Sequence, residues 1–107
     1  MRSITAPELA RWLAAAESQP PVVLDVREPW ELAIAKLPDA VAMPMGSVMS
    51  SFTQLDPDHP TVCLCHHGVR SLQVALFLER QGFSDPINLS GGIQAWAEEV
   101  DPTIAMY

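Results

Sequence analysis

Three short, mostly apolar stretches, Val22-Val23-Leu24, Thr61-Val62-Cys63-Leu64 and Pro86-Ile87-Asn88-Leu89, are separated by segments of helical periodicity. Strands buried on both faces read as continuous apolar runs, not as alternating ones. Strands that alternate with helices point to a parallel sheet with helices on its faces. The expected fold class is therefore α/β.

The remaining elements follow from local signals. Thr5 is a plausible N-cap ahead of Pro7 and Glu8, and Leu9, Trp12 and Leu13 then recur at helical spacing until Pro20-Pro21. Pro29 to Ala35 predicts a short helix, and Ala40 to Met43 a further short strand. Val48 to Leu55 predicts a weak helix before the turn-rich segment Asp56 to Pro60. From Arg70 to Gln81 a helix is expected to bury Leu72, Ala75, Leu76 and Leu78, with Gly82 ending it. Ser90-Gly91-Gly92 turns the chain into a last helix that carries Ile93, Ala95, Trp96 and Ala97. Trp12 and Trp96 read as packing residues. No repeat, linker or low-complexity tract divides the 107 residues, so 1–107 is expected to form one domain.

Charge and composition narrow the function. A net charge of −7, with six basic residues scattered singly, argues against nucleic acid, which is gripped by clustered Lys and Arg. No apolar run is long enough for a bilayer, and Met1 to Glu8 lacks the build of a signal peptide. A cytoplasmic address is the expectation. Two cysteines separated by one residue, Cys63 and Cys65, are poorly placed for a mutual disulfide, and both are expected to be reduced.

The segment Cys65-His66-His67-Gly68-Val69-Arg70 lies between a predicted strand and a predicted helix. In open parallel sheets ligands bind beyond the carboxyl ends of the strands. A six-residue turn entering a helix can aim several backbone N–H groups at one point. The helix N-terminus and Arg70 add positive charge, and together these favour a thiolate at Cys65, the reactive form of cysteine. Gly68 suits a position of positive φ, and Ser71 can cap the helix or donate into the ring. A purely packing role fits Cys63, within its apolar run, better than Cys65. Cys63, Cys65, His66 and His67 are all zinc-ligand types, but neighbouring side chains diverge and His59 is a poor fourth ligand, so no metal is expected.

Taken together, several segments resemble the single-domain rhodaneses, the thiosulfate sulfurtransferase-like family. They are Val23 to Glu31, Leu37 to Pro44, Cys65 to Ser71, Gly82-Phe83 and Asn88 to Trp96. The resemblance covers most of the chain. It implies a five-stranded parallel sheet with helices on both sides and a monomer without cofactor. It also implies a ping-pong reaction in which a small sulfur-containing anion such as thiosulfate leaves a sulfur on Cys65, and cyanide or a thiol then removes it. Arg70 would bind the anionic donor, while His66 and His67 line the mouth. Asp25 and Arg27 match the family's Asp-x-Arg position, where either a loop-holding ion pair or a catalytic part is open. The chain departs from the family at Ala35-Lys36, where Gly-His is common, and at Asp39-Ala40, where Gly-Ala is common; both changes bear on acceptor recognition. Two rivals remain. A sulfur-relay module would take persulfide from a partner protein. A cysteine phosphatase or arsenate reductase would need a larger loop than the four residues between Cys65 and Arg70.

Overall fold

The structure is a computed structural model that describes residues 1–15 and 19–107. Five strands, β1 (Arg2–Ile4), β2 (Val22–Asp25), β3 (Val41–Ala42), β4 (Thr61–Leu64) and β5 (Pro86–Leu89), form one sheet in the order β1-β5-β4-β2-β3. Every pairing is parallel. The helices are α1 (Ala6–Ala14), α2 (Pro29–Ile34), α3 (Val48–Ser51), α4 (Val69–Arg80) and α5 (Gly92–Glu99). The α/β expectation and the five strands implied by the resemblance both hold. Among the described residues no helix is long and apolar enough to cross a membrane.

The two-residue period of the strands divides the core. Val23, Val62, Leu64, Ile87 and Leu89 pack with Leu9 of α1 and with Ile93 and Trp96 of α5. Leu24, Cys63 and Cys65 face the other way, onto Val48 of α3 and Val74, Ala75 and Leu78 of α4. Each layer thus needs the opposite parity from the same strands, and the register Leu24 opposite Cys63 keeps neighbours in phase.

Local chemistry sets the helix starts. Thr5 Oγ1 accepts the Glu8 amide at 3.2 Å while Glu8 Oε1 accepts the Thr5 amide at 3.0 Å, a reciprocal cap that begins α1. Asp39 sits at φ 62, where a short polar side chain tolerates the left-handed region better than most.

Three sequence expectations shift. The strand Arg2–Ile4 carries no apolar run and was not anticipated from its residues. Leu72, expected in the α4 stripe, is 37% exposed; the buried face is instead Ser71, Val74, Ala75 and Leu78. Leu13 of α1 is likewise exposed.

The sheet order positions a crevice. From β2 the chain moves outward to β3, whereas from β4 it moves in the opposite sense to β5. The loops leaving the adjacent strands β2 and β4 therefore part at a topological switch point, where open α/β sheets bind ligands. The turn into α5 supports the loop after β4. A Cβ on Gly92, at φ 61, would lie 2.4 Å from the carbonyl oxygens of both Cys65 and His66. Gly92→Ala should thus cost about 3 kcal/mol through strain and overpacking. It should also distort the loop, read as a lower unfolding midpoint with faster alkylation of Cys65. An unchanged midpoint would mean that the close approach is not required.

Candidate active site

β4 delivers Cys65 to the middle of the sheet, on the α4 side. The first amides of a helix have no partner inside it. Here those of α5 are used by the neighbouring loop: Ile93 N–H donates to the Cys65 carbonyl at 2.9 Å and Gln94 N–H to the His66 carbonyl at 3.2 Å. With these carbonyls turned toward α5, the Gly68 amide donates to Cys65 Sγ at 3.0 Å. Gly68 caps α4 at φ 106, a conformation that costs other residues steric strain. A ring of several amides was expected; one reaches Sγ itself. The second polar neighbour is Ser71, whose hydroxyl lies 3.2 Å from Sγ and donates to Asn88 Oδ1 at 2.6 Å. Ser71 therefore contacts the sulfur and Asn88 and does not cap the helix. Cys65 is 1% exposed, so its sulfur is almost wholly enclosed by the protein.

Cys63 is a different thiol. Burial, with a smaller effect of Cys65 nearby, pushes it up to about 12. It remains a protonated, apolar core residue, as its strand position suggested.

Arg70 lies at the start of α4, but its guanidinium is already engaged. Nη1 and Nη2 donate to Glu31 Oε1 and Oε2 at 2.6 and 2.8 Å. Glu31 also accepts the Glu28 amide at 3.0 Å and the Tyr107 hydroxyl at 2.6 Å. Four donors on a carboxylate that is 2% exposed hold it as an anion. Arg70 foremost draws Glu31 down to about 2, and the partnership in turn raises Arg70.

Asp25 and Arg27 form a second ion pair, fully buried. Arg27 Nη2 donates to Asp25 Oδ2 at 2.7 Å, and Nε to Oδ1 at 2.9 Å. The same guanidinium reaches the Ala35 carbonyl at 2.7 Å and the Tyr107 hydroxyl at 2.9 Å. Its partners tie the loop after β2 to the end of α2 and to Tyr107, which supports a structural role for the pair. Tyr107 completes the wall: its ring stacks on His66 with centroids 4.0 Å apart, and His66 stacks on His67 at 3.9 Å. Burial foremost lowers the His66 pKa, disfavouring the charged ring. His67 turns outward to Gln94 Oε1 at 2.9 Å. Val69, at 68%, is exposed on the loop and Trp30, at 62%, on α2; the Trp30 ring meets Tyr107 edge-on.

The structure thus gathers Cys65 to Ser71 at the start of α4, with Asp25 paired to Arg27, which in turn donates to Tyr107. Sequence reasoning missed Glu31, Asn88 and Tyr107. An acidic residue in a helix's first turn reads as a cap, and Tyr107 meets Glu31 across 76 residues of sequence.

The Glu31 carboxylate makes stability pH-dependent. Its folded pKa is depressed, so its contribution is complete above the ordinary value near 4.5 and is lost as pH falls through about 2. A shift of that size corresponds to roughly 3 kcal/mol. In urea unfolding, the stability gap between wild type and Glu31→Gln should narrow as pH drops from about 5 to 2. A gap that stays constant over that range would contradict the assignment.

Comparison with known proteins agrees with this geometry. The family model described as Rhodanese-like domain matches residues 5–99. Thiosulfate sulfurtransferase GlpE of Pseudomonas syringae is 36% identical, over 77% of this chain and 77% of that protein. The chloroplastic Rhodanese-like/PpiC domain-containing protein 12 of Arabidopsis thaliana is 44% identical over 79% of this chain, which spans only 30% of that longer protein. A crystal structure of a rhodanese-like domain protein from Staphylococcus aureus superposes with a TM-score of 0.84 at 33% identity, covering 100% of this chain and 99% of that one. A loop cysteine held between the starts of α4 and α5, on a sheet of this order, and the family match over nearly the whole chain lead to one conclusion: the chain belongs to the rhodanese-like domain family.

Proposed function

We propose that the protein is a sulfurtransferase that carries sulfane sulfur as a persulfide on Cys65. The observation that carries this reading is the sulfur's setting: Sγ takes the Gly68 amide at 3.0 Å at the N-terminus of the twelve-residue helix α4. Amide donors and a helix N-terminus stabilise negative charge without supplying a proton. That suits both a thiolate nucleophile and the persulfide anion that follows it.

In the first half-reaction the Cys65 thiolate attacks the outer sulfur of a donor such as thiosulfate. The new S–S bond forms as the donor's own S–S bond breaks, and sulfite leaves with its electron pair. In the second, cyanide or a thiolate attacks the outer sulfur of the persulfide and returns Cys65 as thiolate. Covalent catalysis thus divides one transfer into two displacements. Four residues, His66 to Val69, separate Cys65 from Arg70, and a ring of this size favours sulfur over a phosphoryl group.

Intact mass measurement after incubation with thiosulfate is the test. Wild type and Cys63→Ala should each gain one sulfur atom that cyanide removes, and Cys65→Ala should gain none. An adduct retained in Cys65→Ala, or none in wild type with any sulfane donor, would overturn the reading.

A further inference from the structure

Arg70 is the residue expected to receive an anionic donor, yet both of its terminal nitrogens are given to Glu31. Glu31 cannot turn away at little cost, because it is buried and also holds the Glu28 amide and the Tyr107 hydroxyl. Both arginines of the site are consequently held in closed pairs, Arg27 with Asp25 and Arg70 with Glu31. His66 is stacked between His67 and Tyr107, and burial foremost disfavours its charged form. The chain as a whole carries −7. A small dianion approaching Cys65 therefore meets backbone dipoles but no free guanidinium from Arg27 or Arg70.

We propose that Glu31 is a positioning residue that sets the charge of the sulfur donor: by holding Arg70 bidentately it withholds a free cation from the Cys65 loop. The site then favours donors with one negative charge or none over free thiosulfate. This rests on the sulfurtransferase reading and extends it to the class of donor. The chemistry is the same for either class. The Cys65 thiolate takes the outer sulfur, and the leaving group is sulfite from thiosulfate, methanesulfinate from methanethiosulfonate, or a thiolate from an organic persulfide.

The test compares thiosulfate, a dianion, with methanethiosulfonate, a monoanion, using cyanide as acceptor. The readout is the ratio of their kcat/KM values. Glu31→Gln keeps the shape and frees Arg70. It should raise the thiosulfate-to-methanethiosulfonate ratio about tenfold, through a lower KM for thiosulfate, with the gain shrinking as salt is added. In the Arg70→Gln background the same Glu31→Gln change should leave the ratio within about threefold, because the cation it releases is gone. A ratio unchanged in folded Glu31→Gln, or raised equally without Arg70, would overturn the proposal.

Wild type alone supplies a second reading that needs no variant to fold. Its kcat/KM for thiosulfate should hold or rise with added salt, whereas a tenfold fall would reveal an uncompensated cation and overturn the proposal. Persulfide formed from both donors with no change in ratio would remove the role of Glu31 only. Persulfide formed from neither would remove the sulfurtransferase reading and this proposal with it.

Discussion

The carbonyl oxygens of Cys65 and His66 are held by the first amides of α5, and the shape of the reactive loop depends on that capture. Two unsatisfied helix donors and two loop acceptors satisfy each other, so neither set is left buried and unpaired. The approach is close enough that only hydrogen fits at Gly92. With its carbonyls turned toward α5, the loop can present the Gly68 amide to Sγ and enter α4 with a helix N-terminus aimed at the sulfur. Adjacent placement of β4 and β5 is what brings α4 and α5 to start side by side. Fold and site are coupled through this one junction.

A second layer holds the opposite wall. Burying a charge is costly unless it is paired and hydrogen-bonded. Here Glu31 and Arg70 connect α2 to α4, while Asp25 and Arg27 lock the loop that leaves β2. Tyr107 joins the two pairs by donating to Glu31 and accepting from Arg27. The two arginines nearest the Cys65 loop are thereby both held in ion pairs.

How much of this was legible in the sequence depended on how local each signal was. β2, β4 and β5 announced themselves because buried parallel strands leave apolar runs. β1 did not: Arg2 and Ser3 are exposed on the sheet's edge and only Ile4 is buried. The stripe of α4 was misplaced because Leu72 is apolar yet exposed, whereas Ser71 is polar yet buried, its hydroxyl satisfied by Asn88. Cys65 to Ser71 could be read as a unit since its chemistry lies in one contiguous segment. The partners that define the charge of Arg70 could not, because Glu31 and Tyr107 come from distant parts of the chain and meet only after folding.

The claim at the centre of the account is that sulfur in transit resides on Cys65. A single-turnover experiment with thiosulfate labelled at its outer sulfur tests it most directly, by following the label on the peptide that contains Cys65 and then on the acceptor. The account predicts one equivalent of label deposited on that peptide as sulfite appears, and its transfer to cyanide on the next mixing. Label reaching cyanide at the wild-type rate in Cys65→Ser, or bypassing that peptide in wild type, would contradict it.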